Sequence, residues 1–121
     1  MYLYIEMWNV TREWLKLSVE KRRKVFTDME DRIKEMKDRG VENLGWALND
    51  EHTPYRSDYR YITVWKMPSK DEVKMLEENL ESVGWYKYFS QANSRGEMIA
   101  RDKAIDFLVN IKETSTSFLD A

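Results

Sequence analysis

The chain contains no cysteine, a single histidine, two prolines and four glycines. Without cysteine there is no disulfide framework, no thiolate nucleophile, and no thiolate-held zinc or iron–sulfur centre. Neither sign of charge dominates: twenty Lys and Arg stand against twenty-two Asp and Glu, a formal charge of −2. These charges are spread along the sequence, so no steering toward nucleic acid or an anionic membrane is expected. Apolar runs are only a few residues long, and Met1-Tyr2-Leu3-Tyr4 offers no basic stretch ahead of a hydrophobic one. Neither a membrane span nor a signal peptide is expected, and the chain reads as cytoplasmic. Glycine-loop phosphate cradles, serine-nucleophile elbows and paired-histidine metal motifs are absent as well, which leaves hydrolase and kinase chemistry without support. What is abundant is aromatic surface, with five Trp, seven Tyr and four Phe in 121 residues. With 42% apolar residues the chain can fill one core, so a single domain is expected over 1–113, followed by a patternless tail over 114–121.

The first segment alternates Tyr2, Tyr4, Glu6 and Trp8 with Leu3, Ile5 and Met7, a period of two that reads as a strand buried on both faces. After a connection containing Thr11 and Trp14, Ser18 is placed to cap a helix whose apolar positions Val19, Phe26, Met29, Ile33 and Met36 recur at helical spacing up to Gly40. Glu30 and Lys34 on its other faces read as solvated. Leu44–Leu48 is a short strand pattern, and 58–67 a longer one carrying Tyr59, Tyr61, Thr63, Trp65 and Met67 on one parity, with a polar loop over 49–57 between them. Pro68 ends that strand, and Ser69 with Glu72 matches a capping box opening a helix with Val73, Leu76, Leu80 and Val83 inward and Gly84 as its stop. Trp85–Asn93 reads as a fourth strand, and Ser94 with Glu97 as a second capping box opening a third helix through Met98, Ile105, Leu108 and Val109 to about Lys112.

The order is β-α-β-β-α-β plus a helix: an α+β, ferredoxin-like four-stranded antiparallel sheet with both helices on one face and an extra C-terminal helix. The aromatic parities of the first and third strands, placed together, make one heavily aromatic side. Left open, that side would be adhesive, which predicts a homodimer covering it, a bound ligand, or both.

Glu6 is the first candidate for chemistry. A carboxyl flanked by Tyr4 and Trp8 has its charged form disfavoured, as a general acid or base requires; the plainer alternative pairs it with a helix arginine such as Arg22 or Arg23. His52, in the polar loop, is placed to shuttle protons or simply to be solvated. Asp50, Glu51, His52 and Asp58 match no ligand spacing, so no metal is expected. Trp8, Trp46, Trp65 and Trp85, with Tyr61 and Tyr88, are candidates to line a flat apolar cavity, and Gln91 and Asn93 to orient a ligand's carbonyl or hydroxyl. The same element order also belongs to RNA-recognition domains. Here Ser57 and Asp58 stand where a basic residue and a glycine are expected, and Arg60 separates the aromatics, so nucleic-acid binding is not expected.

The order, the length and the aromatic strands resemble the dimeric α+β barrel superfamily, which includes antibiotic-biosynthesis monooxygenase-like, EthD-like and muconolactone-isomerase-like proteins. Tyr4-Ile5-Glu6-Met7-Trp8, the helix start Leu17-Ser18-Val19-Glu20-Lys21-Arg22, Asp58-Tyr59-Arg60-Tyr61, Val64-Trp65-Lys66-Met67-Pro68, and Gly84-Trp85-Tyr86-Lys87-Tyr88-Phe89 with Gln91, Asn93 and Gly96 resemble a small uncharacterised family within it. The resemblance implies a homodimer and, for an enzyme, oxidation or isomerisation without a cofactor. Glu6 would be the base, Tyr61 or Tyr88 a donor to a developing oxyanion, and Trp65 a stacking wall. The resulting expectation is a dimer binding a small apolar or aromatic metabolite, against the alternative of a non-catalytic interaction dimer with no ligand site.

Overall fold

The computed structural model describes residues 1–112; the tail expected over 114–121 lies outside them. The elements are β1 (Tyr2–Val10), α1 (Arg12–Lys16), α2 (Val19–Asp38), β2 (Glu42–Leu48), β3 (Tyr61–Met67), α3 (Lys70–Ser82), α4 (Trp85–Tyr88), β4 (Phe89–Glu97) and α5 (Arg101–Val109). The sheet order is β2-β3-β1-β4 with every neighbouring pair antiparallel. This is the ferredoxin-like α+β arrangement with α2 and α3 on one face and an added C-terminal helix. No helix among the described residues is long and apolar enough to cross a membrane.

The helix starts follow local chemistry. The Ser18 hydroxyl oxygen accepts the Lys21 N–H at 3.2 Å, and that of Ser69 accepts the Asp71 N–H at 3.2 Å. The Ser69 hydroxyl also bonds the Glu72 carboxylate, which holds that carboxyl below its usual range. Gly40, at φ +94, turns the chain out of α2 so close to Pro68 that an added Cβ would sit 3.0 Å from its ring.

Several boundaries differ from the sequence reading: Arg12–Lys16, within the expected connection, is helical, and β3 begins at Tyr61 rather than at 58. Trp85–Tyr88 is one helical turn, not strand: Gly84 enters the left-handed region at φ +71, Lys87 N–H closes on the Gly84 carbonyl, and Thr11 ties the turn's end through Tyr88 O and Lys87 O. The strand then runs through the supposed second capping box, with Ser94 opposite Ile5 and Glu97 opposite Tyr2. Nine residues of β1 offer backbone groups that need partners, and that ladder outweighs a surface cap. The last helix starts at Arg101 instead.

The largest revision concerns the faces. Tyr4, Glu6 and Trp8 of β1 and Thr63, Trp65 and Met67 of β3 are buried beneath the helices, with Met29, Met36, Val73, Leu76, Leu80, Trp85 and Phe89. The aromatic side is therefore the core. The open side is aliphatic, with Leu3, Ile5, Met7, Ile62 and Val64 all half-buried, so β1 is not buried on both faces.

Candidate functional site

Helix α2 is twenty residues long yet buries only Met29 and Met36. Between this helix and the sheet lies a cleft of about 840 Å³. Its floor is Glu6 and Trp8 of β1, Thr63 and Trp65 of β3, and Asn43 and Trp46 of β2; its roof is Phe26, Met29 and Ile33 of α2; Leu76, Leu80 and Trp85 close the inner end. Glu30, Lys34, Lys37 and Glu42, all exposed, ring the mouth. The volume and the largely apolar lining suit a small organic molecule.

Glu6 is 3% exposed. Trp65 Nε1 donates to its Oε1 at 2.6 Å and Gln91 Nε2 to its Oε2 at 2.7 Å. Gln91 is itself pinned, accepting from Trp85 Nε1 at 2.7 Å and donating to Asn93 Oδ1 at 2.7 Å, which fixes which end of its amide faces Glu6. No cation approaches: Arg22 spends its guanidinium on the Trp14 and Leu15 carbonyls, and none of the ion pairs among the described residues includes Glu6. Burial raises the Glu6 carboxyl above its ordinary range, opposed by the bonds from Trp65 and Gln91. A carboxyl held on both oxygens, unpaired and raised, in the wall of an apolar cleft is equipped to take or give a proton. The same negative charge helps raise the Tyr86 phenol, after burial, while an Asn93 hydrogen bond opposes the rise.

The strand register explains the grouping. Antiparallel partners directly opposite share a face, and Glu6 lies opposite Thr63 and Asn93, Trp8 opposite Tyr61 and Gln91, and Tyr4 opposite Trp65 and Arg95. Glu6, Trp8, Trp46, Trp65 and Trp85 thus meet in the cleft wall. Gln91 and Asn93 support Glu6 from beside it. Tyr61 stacks on Trp8 at 5.9 Å, outside the cleft wall, and Tyr88 packs against Trp14 at 5.7 Å, also outside it. His52 is exposed in the loop after β2, its backbone N–H donating to Asp50 Oδ1.

Other parts of the site carried little signal in the sequence. The Trp8 indole N–H has no hydrogen-bond partner, yet no side-chain nitrogen or oxygen of the described residues is sealed away unpaired. Trp8 is only 4% exposed and lines the cleft. Thr63 joins β2 to β3, accepting from Asn43 Nδ2 at 2.8 Å and donating to the Gly45 carbonyl at 3.0 Å across the bulge between Asn43 and Gly45. The cleft-facing residues of α2 recur three or four apart, a visible signal for a shared face but not for a gap beneath it.

Among solved structures the fold is similar to a putative chlorite dismutase, at TM-score 0.62 and 15% identity over 88% of this chain and 48% of that one. It is also similar to a dimeric ferredoxin-like protein from an uncultured marine organism, at TM-score 0.51 and 15% identity over 84% and 97%. The chain spans about half the length of the first. No curated protein matches the sequence. At such identities the likeness is one of fold, and the sequence itself supplies the narrower placement: the chain belongs to DUF6616, a family of unknown function whose model matches residues 1–111.

Proposed function

We propose that the chain binds a small, planar, largely apolar molecule in the cleft between α2 and the sheet, and that Glu6 exchanges a proton with it. The observation that carries this reading is the Glu6 carboxyl: buried, bonded on both oxygens, outside the ion pairs of the described residues, and lining a cleft walled largely by aromatic and aliphatic side chains. The raised carboxyl makes its ionised form a stronger base. The free Trp8 N–H, two residues along the same strand face, is a donor for the oxygen on which charge would develop. It takes the part that the resemblance implies for Tyr61 or Tyr88. Proton removal from an activated carbon opens both isomerisation and cofactor-independent oxidation, the two activities that the resemblance to antibiotic-biosynthesis monooxygenase-like and muconolactone-isomerase-like proteins implies.

A homodimer is part of the same reading. Its support has moved from the aromatic side, now core, to the open aliphatic side centred on Leu3, Ile5, Ile62 and Val64, the kind of apolar patch that a second copy covers. The dimeric ferredoxin-like neighbour gives it precedent.

The test is a native mass spectrum of freshly purified protein followed by titration with 1-naphthol, read by tryptophan fluorescence. Reproducible extra mass, or saturable quenching that Trp65→Ala abolishes, is the expected result. A bare chain whose fluorescence 1-naphthol leaves unchanged would sink the ligand reading and favour an interaction dimer. With a substrate in hand, Glu6→Gln should retain binding and lose turnover.

A further inference from the structure

Helix α5 follows β4 after a three-residue connection and contains no buried residue. Its sequence still has an apolar stripe, because Ala104, Ile105, Leu108 and Val109 fall on one side of a helical wheel. The stripe begins on the chain's own fold, where Ala104 and Ile105 are half-buried. It ends in solvent, with Leu108 71% and Val109 73% exposed. Exposure of the stripe therefore rises toward the end of the helix.

The open sheet face is the second apolar surface without a partner. At its edge, where β1, β4 and the connection to α5 meet, lies a recess of about 350 Å³ lined by Leu3, Ile5, Gly96, Met98 and Ile99. Gly96, opposite Leu3 in the register, leaves this recess clear.

We propose that α5 crosses between copies: in a pair of chains, the Leu108–Val109 end of each α5 seats on the other copy's open sheet face. The inference rests on the dimer reading above and adds which segment completes it. Area is the first argument. Four strands about 4.8 Å apart and about seven residues deep present roughly 400 Å², whereas a stable pair buries about 800 Å² per copy. The sheet face alone covers about half of that, and the exposed end of the helix supplies further apolar surface. Charge is the second. Lys66 lies opposite Leu3 in the register and so flanks the open face without an ion pair, and α5 carries Asp102 and Asp106 one turn apart, also outside any ion pair. The occupant is a second copy because this chain owns both complementary surfaces, and a twofold contact satisfies each of them twice.

The absence of cysteine makes the test clean. Full-length chains carrying Leu108→Cys are mixed with chains carrying Leu3→Cys, Ile5→Cys or Val64→Cys, oxidised, and resolved without reductant; Asp38→Cys, at the end of α2, is the control. The expected result is a native mass of twice the subunit and a mixed disulfide from at least one pair at about ten times the control yield. Leu108→Asp with Val109→Asp, exposed positions that leave the circular dichroism unchanged, should weaken pairing about tenfold or more, which is about 1.4 kcal/mol. A dimer that forms no mixed disulfide and tolerates the double substitution would overturn the crossing while leaving the dimer reading intact. A monomer at every concentration tried would remove both.

Discussion

The bond from Trp65 Nε1 to Glu6 Oε1 is the most incisive place to perturb the site. Trp65→Phe keeps an aromatic ring in a position that is 6% exposed and deletes the donor 2.6 Å from the carboxyl. Two losses follow, and pH separates them. The packing loss from indole to phenyl is the same at every pH. The hydrogen-bond loss is not: a bond to an ionised group contributes about 1.5–3 kcal/mol and one between neutral groups about 0.5–1.5 kcal/mol. Trp65→Phe should therefore destabilise the fold by about 1–2 kcal/mol more where Glu6 is ionised than where it is protonated. Urea unfolding followed by far-ultraviolet circular dichroism, insensitive to the missing fluorophore, measures this at a series of pH values from acidic to mildly alkaline. In a Glu6→Gln background the pH-dependent part must vanish, since nothing at position 6 then titrates. A Trp65→Phe cost that is flat with pH, or larger in acid, would refute the assignment of this bond as a support of the ionised carboxylate.

Glu6 itself sets a pH trend. Its folded carboxyl is raised above the unfolded one, so its contribution is fully present below the unfolded value and is lost as pH climbs through the folded value. Glu6→Gln should flatten that decline, as denaturation midpoints across pH would show; a variant whose stability falls with rising pH as steeply as the parent's would contradict it. Thr63→Val removes a hydroxyl that is 2% exposed and leaves the Gly45 carbonyl without its donor, an expected loss of about 1–3 kcal/mol in urea unfolding. Trp46→Ala should cost little stability, since the ring is 58% exposed and makes an edge contact with Trp8 worth about 0.5–1.5 kcal/mol, yet it should weaken 1-naphthol binding by removing one wall of the cleft. Ser69→Ala, losing a cap at the start of α3, should cost about 1 kcal/mol in the same unfolding assay.

The sequence made the element order legible because its signals were local. Ser18 and Ser69 announce helix starts through bonds within three residues, and the period-two runs of Tyr2–Trp8 and Tyr61–Met67 need only a pleated backbone to be read. What was not legible needed tertiary information. Alternation separates two parities but does not say which one the helices will cover, so the aromatic parity was read as the open side although it forms the core. Trp85–Tyr88 is rich in strand formers, yet a left-handed Gly84 and the bonds from Thr11 coil it into a turn that brings Trp85 over the cleft. Ser94 and Glu97 spell a cap, but β1 was a better partner. In the cleft wall, Glu6, Trp8, Trp46 and Trp65 stand on strands and Trp85 on a helical turn, whereas Phe26 and Ile33 read as ordinary core residues. A helical stripe records which side faces inward and holds no information on the distance to what it faces.

Helix α2 rests on Met29 and Met36, one heptad apart and both buried. Thioether side chains are unbranched and re-pack with little penalty. These two buried contacts are therefore the adaptable part of the roof's seat, beside the bonds from Arg32 to Asn79 and Ser82 that fix α2 to α3. The floor, tied by the Trp65–Glu6–Gln91–Trp85 chain of hydrogen bonds, has no such latitude. The cleft thus sets adaptable side chains above against fixed bonding below.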